Sequence, residues 1–176
     1  MKRNQITVII ILMVFLNLSF QTYKIKEITD NNLQTNKYAG VYKYGDSPEK
    51  GPSGQITVYP ESDDSILFFI DISRGAPSYN MGNLYDRVKI KSNKGIYYVR
   101  FEENDNACNF SLVFNGDKLT IKTVNGGNDC GFGGNVSVDG QYYKVKNAKY
   151  DHFIDMTGEK YFFNKTKPED YAKILK

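Results

Sequence analysis

From Tyr38 onward the chain is divided into short runs of β-branched and aromatic residues, separated every eight to twelve residues or so by Gly, Asn, Asp or Pro clusters. About eight such runs follow one another: Tyr38 to Tyr44, Gly54 to Tyr59, Ile66 to Ser73, Leu84 to Lys91, Gly95 to Phe101, Asn109 to Phe114, Lys118 to Val124, and Asn135 to Val145. Several alternate strictly: Ile56 and Val58 with Thr57 and Tyr59, Val88 and Ile90 with Lys89 and Lys91, Leu119 and Ile121 with Thr120 and Lys122. Period two turns one set of side chains to a dry face and the other to water. Asn93-Lys94-Gly95, Asn115-Gly116-Asp117 and Asp139-Gly140 are short and Gly-bearing, as tight hairpins require where a turn residue takes positive φ. Hairpins in succession without helical crossovers make an antiparallel meander, and closing it removes its exposed edges. The expected fold is therefore all-β, a meander of about eight strands closing into a small barrel, with a two-sheet sandwich as the alternative.

The aromatic content suits this fold. Fourteen Tyr and eleven Phe stand with no Trp at all, and Tyr rings pack inward from half-buried strands while their hydroxyls reach polar partners. After Val145 the character changes: Tyr150, Phe153 and Ile154 precede Tyr161-Phe162-Phe163, and Thr166-Lys167-Pro168-Glu169-Asp170 follows. A closing strand around Lys160 to Asn164 is expected there, then a short C-terminal helical turn with Pro in its first turn and carboxylates near its positive end.

At the other end, Lys2 and Arg3 precede an apolar run from Ile6 to Leu16, too short to cross a bilayer as a helix and shaped like an export signal. Residues 1–20 are read as a signal peptide, 21–37 as a polar leader and 38–176 as one domain, in a secreted or periplasmic protein. No integral membrane domain is expected. Signal cleavage and oligomeric state stay open. Outside the cytoplasm the two cysteines, Cys108 and Cys130, can oxidise to a structural disulfide closing a loop of about twenty residues. Without Lys2 and Arg3 the balance of 23 basic and 20 acidic side chains is nearly neutral, which gives no electrostatic basis for binding nucleic acid.

Catalytic chemistry is poorly supplied. His152 is the lone histidine and no serine or cysteine is spaced to be activated by it. The acidic pairs Glu102/Glu103, Asp63/Asp64 and Asp151/Asp155 read as solvated turns rather than as glycosidase carboxylates. One histidine and two cysteines make no ordinary zinc site, and Asn104-Asp105-Asn106 lacks the remainder of a calcium loop. Neither an enzyme, a metal nor a cofactor is expected. The glycine-dense stretch Gly126 to Asn135 lacks the Lys and the following helix of a phosphate loop, and reads as a wide turn beside the disulfide. The connection Ser73 to Asn83 carries more polar variety than a hairpin needs. Loops of this kind on a rigid sheet hold binding residues, and Ser73, Arg74, Ser78, Tyr79 and Asn80 are the expected partner-binding set.

The segments Arg74-Gly75-Ala76-Pro77-Ser78-Tyr79-Asn80-Met81-Gly82, Cys108-Asn109-Phe110, Cys130-Gly131-Phe132-Gly133 and Asp139-Gly140-Gln141-Tyr142 resemble a group of small exported bacterial β-barrel domains. The resemblance implies a barrel with a Cys-to-Cys bridge and, more distantly, a likeness to lysozyme-inhibitor domains. C-type membrane-bound lysozyme inhibitors enter the lysozyme cleft with a Ser-Gly-x-x-Tyr loop. Here Arg74 intrudes between Ser73 and Gly75, and Tyr79 falls one residue later. The functional expectation is an exported non-catalytic binding protein for a partner protein or small ligand, with hydrolase inhibition its sharpest form. The alternative is a lipocalin-like carrier with an apolar ligand inside the barrel, and inward-pointing Phe68, Phe110 and Phe114 would fill that space.

Overall fold

A computed structural model describes residues 33–100, 107–146 and 148–174. The signal peptide, most of the polar leader, and the Glu102/Glu103 and Asn104-Asp105-Asn106 groups lie outside these residues. The fold is a closed antiparallel barrel of eight strands in chain order: β1 (Gly40–Tyr44), β2 (Ser53–Pro60), β3 (Ser65–Ser73), β4 (Met81–Lys91), β5 (Lys94–Val99), β6 (Cys108–Asn115), β7 (Lys118–Asn128) and β8 (Gly140–Lys144). Closure is made by β1 against β8, with Tyr42 opposite Lys144 and Lys43 opposite Tyr143. Turn chemistry sets the registers. Ser92 and Asn93 take φ of 50° and 66°, as a two-residue hairpin requires, and Gly116 takes φ 57° between Asn115 and Lys118.

The alternation read in the sequence fixes which face points inward. Ile56 and Val58 of β2, Val88 and Ile90 of β4, and Leu119 and Ile121 of β7 all enter one core. Phe68 and Phe110 are fully buried there and Phe114 nearly so, so the interior is occupied by side chains. Tyr97 joins them, its ring 5.3 Å from Phe68 and 4.9 Å from Phe110. Two phenols enter this core completely and each finds an acceptor: the Tyr42 hydroxyl donates to Tyr38 O and the Tyr142 hydroxyl to Val138 O, both at 2.8 Å. Burial pushes both phenols well above the ordinary tyrosine range. The last residues of the expected leader belong to the domain. Gln34–Tyr38 forms a 3₁₀ helix with Thr35 buried, and the Thr35 hydroxyl donates to Ser62 O.

Strand Lys160–Phe162 (β10) does not close the barrel. It pairs with His152–Ile154 (β9) in a separate hairpin laid on the outer face of β3 and β4. The reason is the apolar content of that face. Leu67, Phe69 and Tyr85 point away from the barrel and would be wet without a cover. Phe153, Tyr161 and Phe163 supply it, together with Tyr171 from the C-terminal helix α1 (Pro168–Ile174). Phe153 stacks on Phe69 at 4.2 Å and meets Tyr85 at 4.6 Å, and the Tyr85 hydroxyl donates to Thr166 O at 2.6 Å. At the rim Arg87 bridges Glu61, at 3.1 Å, and Glu169 of α1. These charges are half-exposed and add little beyond orientation.

A Cys108–Cys130 disulfide joins the start of β6 to the segment after β7. Replacing both cysteines with alanine is expected to cost about 3 kcal/mol in urea unfolding, because the bridge closes a loop with a sequence separation of 22. Phe153→Ala is expected to cost about 3 kcal/mol. Its signature is faster amide exchange across residues 152–174 while the eight barrel strands keep their protection.

Candidate functional site

Among the described residues, one end of the barrel is built from three segments: the β1–β2 connection, the β3–β4 loop at residues 74–80, and the segment after β7. The β3–β4 loop is braced at each step. Arg74 N donates to Asn80 O and Tyr79 N to Gly75 O, both at 2.9 Å, while Ala76 N reaches across to Pro48 O at 2.9 Å. Gly75, at φ 77°, sits so close to the β1–β2 connection that a Cβ there would lie 2.3 Å from Gly51 O, and no other residue fits.

The segment from Cys130 to Val138 is a plug across this end. Phe132, Val136 and Val138 pack on the barrel core. Phe132 lies over Gly82, where a Cβ would come within 2.5 Å of its ring. Gly133 N donates to Met81 O at 2.9 Å and Asn80 Nδ2 to Gly134 O at 2.7 Å, so the plug and the β3–β4 loop hold each other.

Of the five residues expected to bind a partner, the structure divides the roles. Ser73 ends β3, is buried, and accepts the Gly75 N–H on its hydroxyl at 3.0 Å; Asn80 ties the loop to the plug. These two are braces. Arg74, Ser78 and Tyr79 are exposed, and Arg74 has no side-chain partner among the described residues. Tyr79 is 49% exposed and holds φ 52°, a left-handed conformation that is costly for an aromatic residue and is fixed here by the Gly75 carbonyl.

The other candidate groups are dispersed. His152 Nδ1 lies 2.8 Å from Asp151 Oδ1, on the outer hairpin. That hydrogen bond lowers the Asp151 carboxyl below its usual range. Asp155 closes a turn, its Oδ1 accepting from Thr157 N at 2.8 Å, Thr157 Oγ1 at 2.6 Å and Glu159 N at 3.1 Å. Asp63 accepts Gln34 N at 3.0 Å and Asp64 accepts the Ser62 hydroxyl at 2.9 Å. Asp64, Asp151 and Asp155 are thus held by donors of their own segments, and Asp63 by the start of the 3₁₀ helix.

Sequence reasoning missed a groove of about 580 Å³ along β4, on the side facing β5. It exists because β4 and β5 are joined at only two residue pairs, Ile90 with Gly95 and Lys91 with Lys94, among the described residues. Its walls come from four distant segments: Met81 to Asp86, Val99, Cys130 with Gly131, and the hairpin turn and helix from Asp155 to Ala172. No local pattern marks such a site. Asn83 lines it, giving both Nδ2 hydrogens away, to Ile70 O at 3.3 Å and Asp71 Oδ1 at 3.0 Å, while its buried Oδ1 has no partner among the described residues.

No protein-family model, no curated protein and no solved structure matches the chain.

Asp71, half-buried on the outer face beneath the hairpin, supplies a pH test. Burial raises its carboxyl above the usual range, and the Asn83 hydrogen bond offsets part of that. A carboxyl raised by folding stabilises the fold while protonated and loses that contribution as pH rises through its folded pKa. Asp71→Asn, which keeps the Oδ1 acceptor, is expected to unfold at a higher temperature than wild type at pH 7. That advantage should vanish below about pH 4, where the wild-type carboxyl is also neutral.

Proposed function

We propose that this chain is an exported, non-catalytic binding protein that captures a partner protein through the end of its barrel, with Arg74, Ser78 and Tyr79 as the contacting residues. The observation that carries the reading is the braced loop. Arg and Tyr are the residue types that dominate binding energy at interfaces, and here both project from a backbone fixed by hydrogen bonds to two neighbouring segments. A loop held in advance loses little entropy on binding. The left-handed Tyr79 belongs to the same reading, since such conformations persist where the surroundings over-determine them. The resemblance to lysozyme-inhibitor domains makes a secreted hydrolase the first partner to try. A ligand carried inside the barrel is less well supported, because Phe68, Phe110 and Phe114 occupy the interior.

The test is capture by the immobilised, oxidised protein from a mixture of secreted hydrolases that includes lysozymes, beside the Arg74→Ala/Tyr79→Ala double variant. A prey retained by wild type and lost by the variant is expected, with roughly 2 kcal/mol of affinity lost per residue. Thermal unfolding of the variant should stay within about 0.5 kcal/mol of wild type, as for exposed side chains. Equal retention by both proteins would dismiss the loop as the binding surface.

A further inference from the structure

We propose that the groove along β4 is a second binding site, one that takes a small organic cation with an apolar body. Met81, Cys130 and Gly131 line it and also border the barrel's end, but Arg74, Ser78 and Tyr79 take no part in it. The size fits: about 580 Å³ falls within the range of pockets that enclose a drug-sized ligand. Its walls are mostly apolar, with Met81, Leu84, Val99, Met156 and Ala172 among the lining residues. The two methionines are flexible and polarisable, and adapt to ligands of varied shape.

Charge selects the ligand class. Asp86, Asp155 and Glu169 line the groove, and no Lys, Arg or His does so among the described residues. Glu169 shares Arg87 with Glu61. Asp86 and Asp155 have no cationic partner there. Asp86 is held by neutral donors, the Arg87 backbone N–H at 2.8 Å and the Tyr97 hydroxyl at 2.7 Å, and Asp155 by the donors of its own turn. These bonds orient the two carboxylates without cancelling their charge. An ammonium or guanidinium group would gain charge-assisted hydrogen bonds that a neutral ligand lacks, and an anion of equal shape would be repelled.

The decisive experiment is an amide chemical-shift titration of the ¹⁵N-labelled, oxidised protein with phenethylammonium and, separately, with 3-phenylpropionate. Saturable shifts at Leu84, Asp86, Val99 and Thr157 are expected for the amine, with the carboxylate at least tenfold weaker. Asp86→Asn/Asp155→Asn keeps the acceptor oxygens and should weaken the amine at least tenfold. Ala172→Lys, which adds a cation at the exposed wall without touching either carboxylate, should do the same. The Arg74→Ala/Tyr79→Ala variant should bind the amine as wild type does, which separates this site from the barrel-end loop. Equal binding of amine and acid, shifts clustered elsewhere, or variants that bind the amine like wild type would overturn the proposal. So would saturation of the groove by an arginine-rich peptide under conditions where the amine fails.

Discussion

Strand β3 is buried on both faces, and the rest of the structure is arranged around that fact. Ile66, Phe68, Ile70 and Ile72 point into the barrel, while Leu67 and Phe69 point out into a second apolar cluster. Burying a large apolar side chain stabilises by about 2 kcal/mol, so an uncovered outer face would forfeit much of the marginal stability of a domain this size. The β9–β10 hairpin and the C-terminal helix therefore dock on the outside of the barrel. Their aromatic rings, Phe153 on Phe69 and Phe163 on Tyr59, make that docking geometrically specific.

The two cores divide the surface between them. The first needs its open end closed, which the glycine-rich stretch does by laying Phe132 over Gly82 and anchoring itself through the disulfide. Closing that end fixes the β3–β4 loop, because Asn80 and Met81 bond to the plug. The second core sets the hairpin turn and the helix opposite the edge of β4, and the groove is the space left between them. Both candidate sites are thus by-products of covering apolar surface. Arg74 and Tyr79, which present the first, contribute little to holding the fold together, whereas Asp86 and Asp155 in the second also anchor the Tyr97 hydroxyl and the hairpin turn.

Legibility in the sequence followed the range of the physics. Strands and turns are set by neighbours in the chain: alternation in Ile56-Thr57-Val58, and positive-φ residues at Asn93 and Gly116, were enough to recover the meander and its closure. The β3–β4 loop stands out in the sequence because its polar variety exceeds what a turn needs, whereas the bracing roles of Ser73 and Asn80 depend on Gly75 and Gly134. The unbroken apolar run Ile66-Leu67-Phe68-Phe69-Ile70 carried a signal of burial on both faces. It could have warned that the C-terminal strand covers β3 and leaves closure to β8.

By itself, then, the sequence determined the local conformations, the alternation along most strands and the antiparallel order, because side-chain period and turn dihedrals act over a few residues. Tertiary structure alone decided which aromatic residues outside the barrel meet, how the glycine-rich stretch closes one end, and where the seam between β4 and β5 opens. Those outcomes depend on contacts between segments up to about a hundred residues apart, as between Tyr59 and Phe163, and no spacing in the chain encodes such distances.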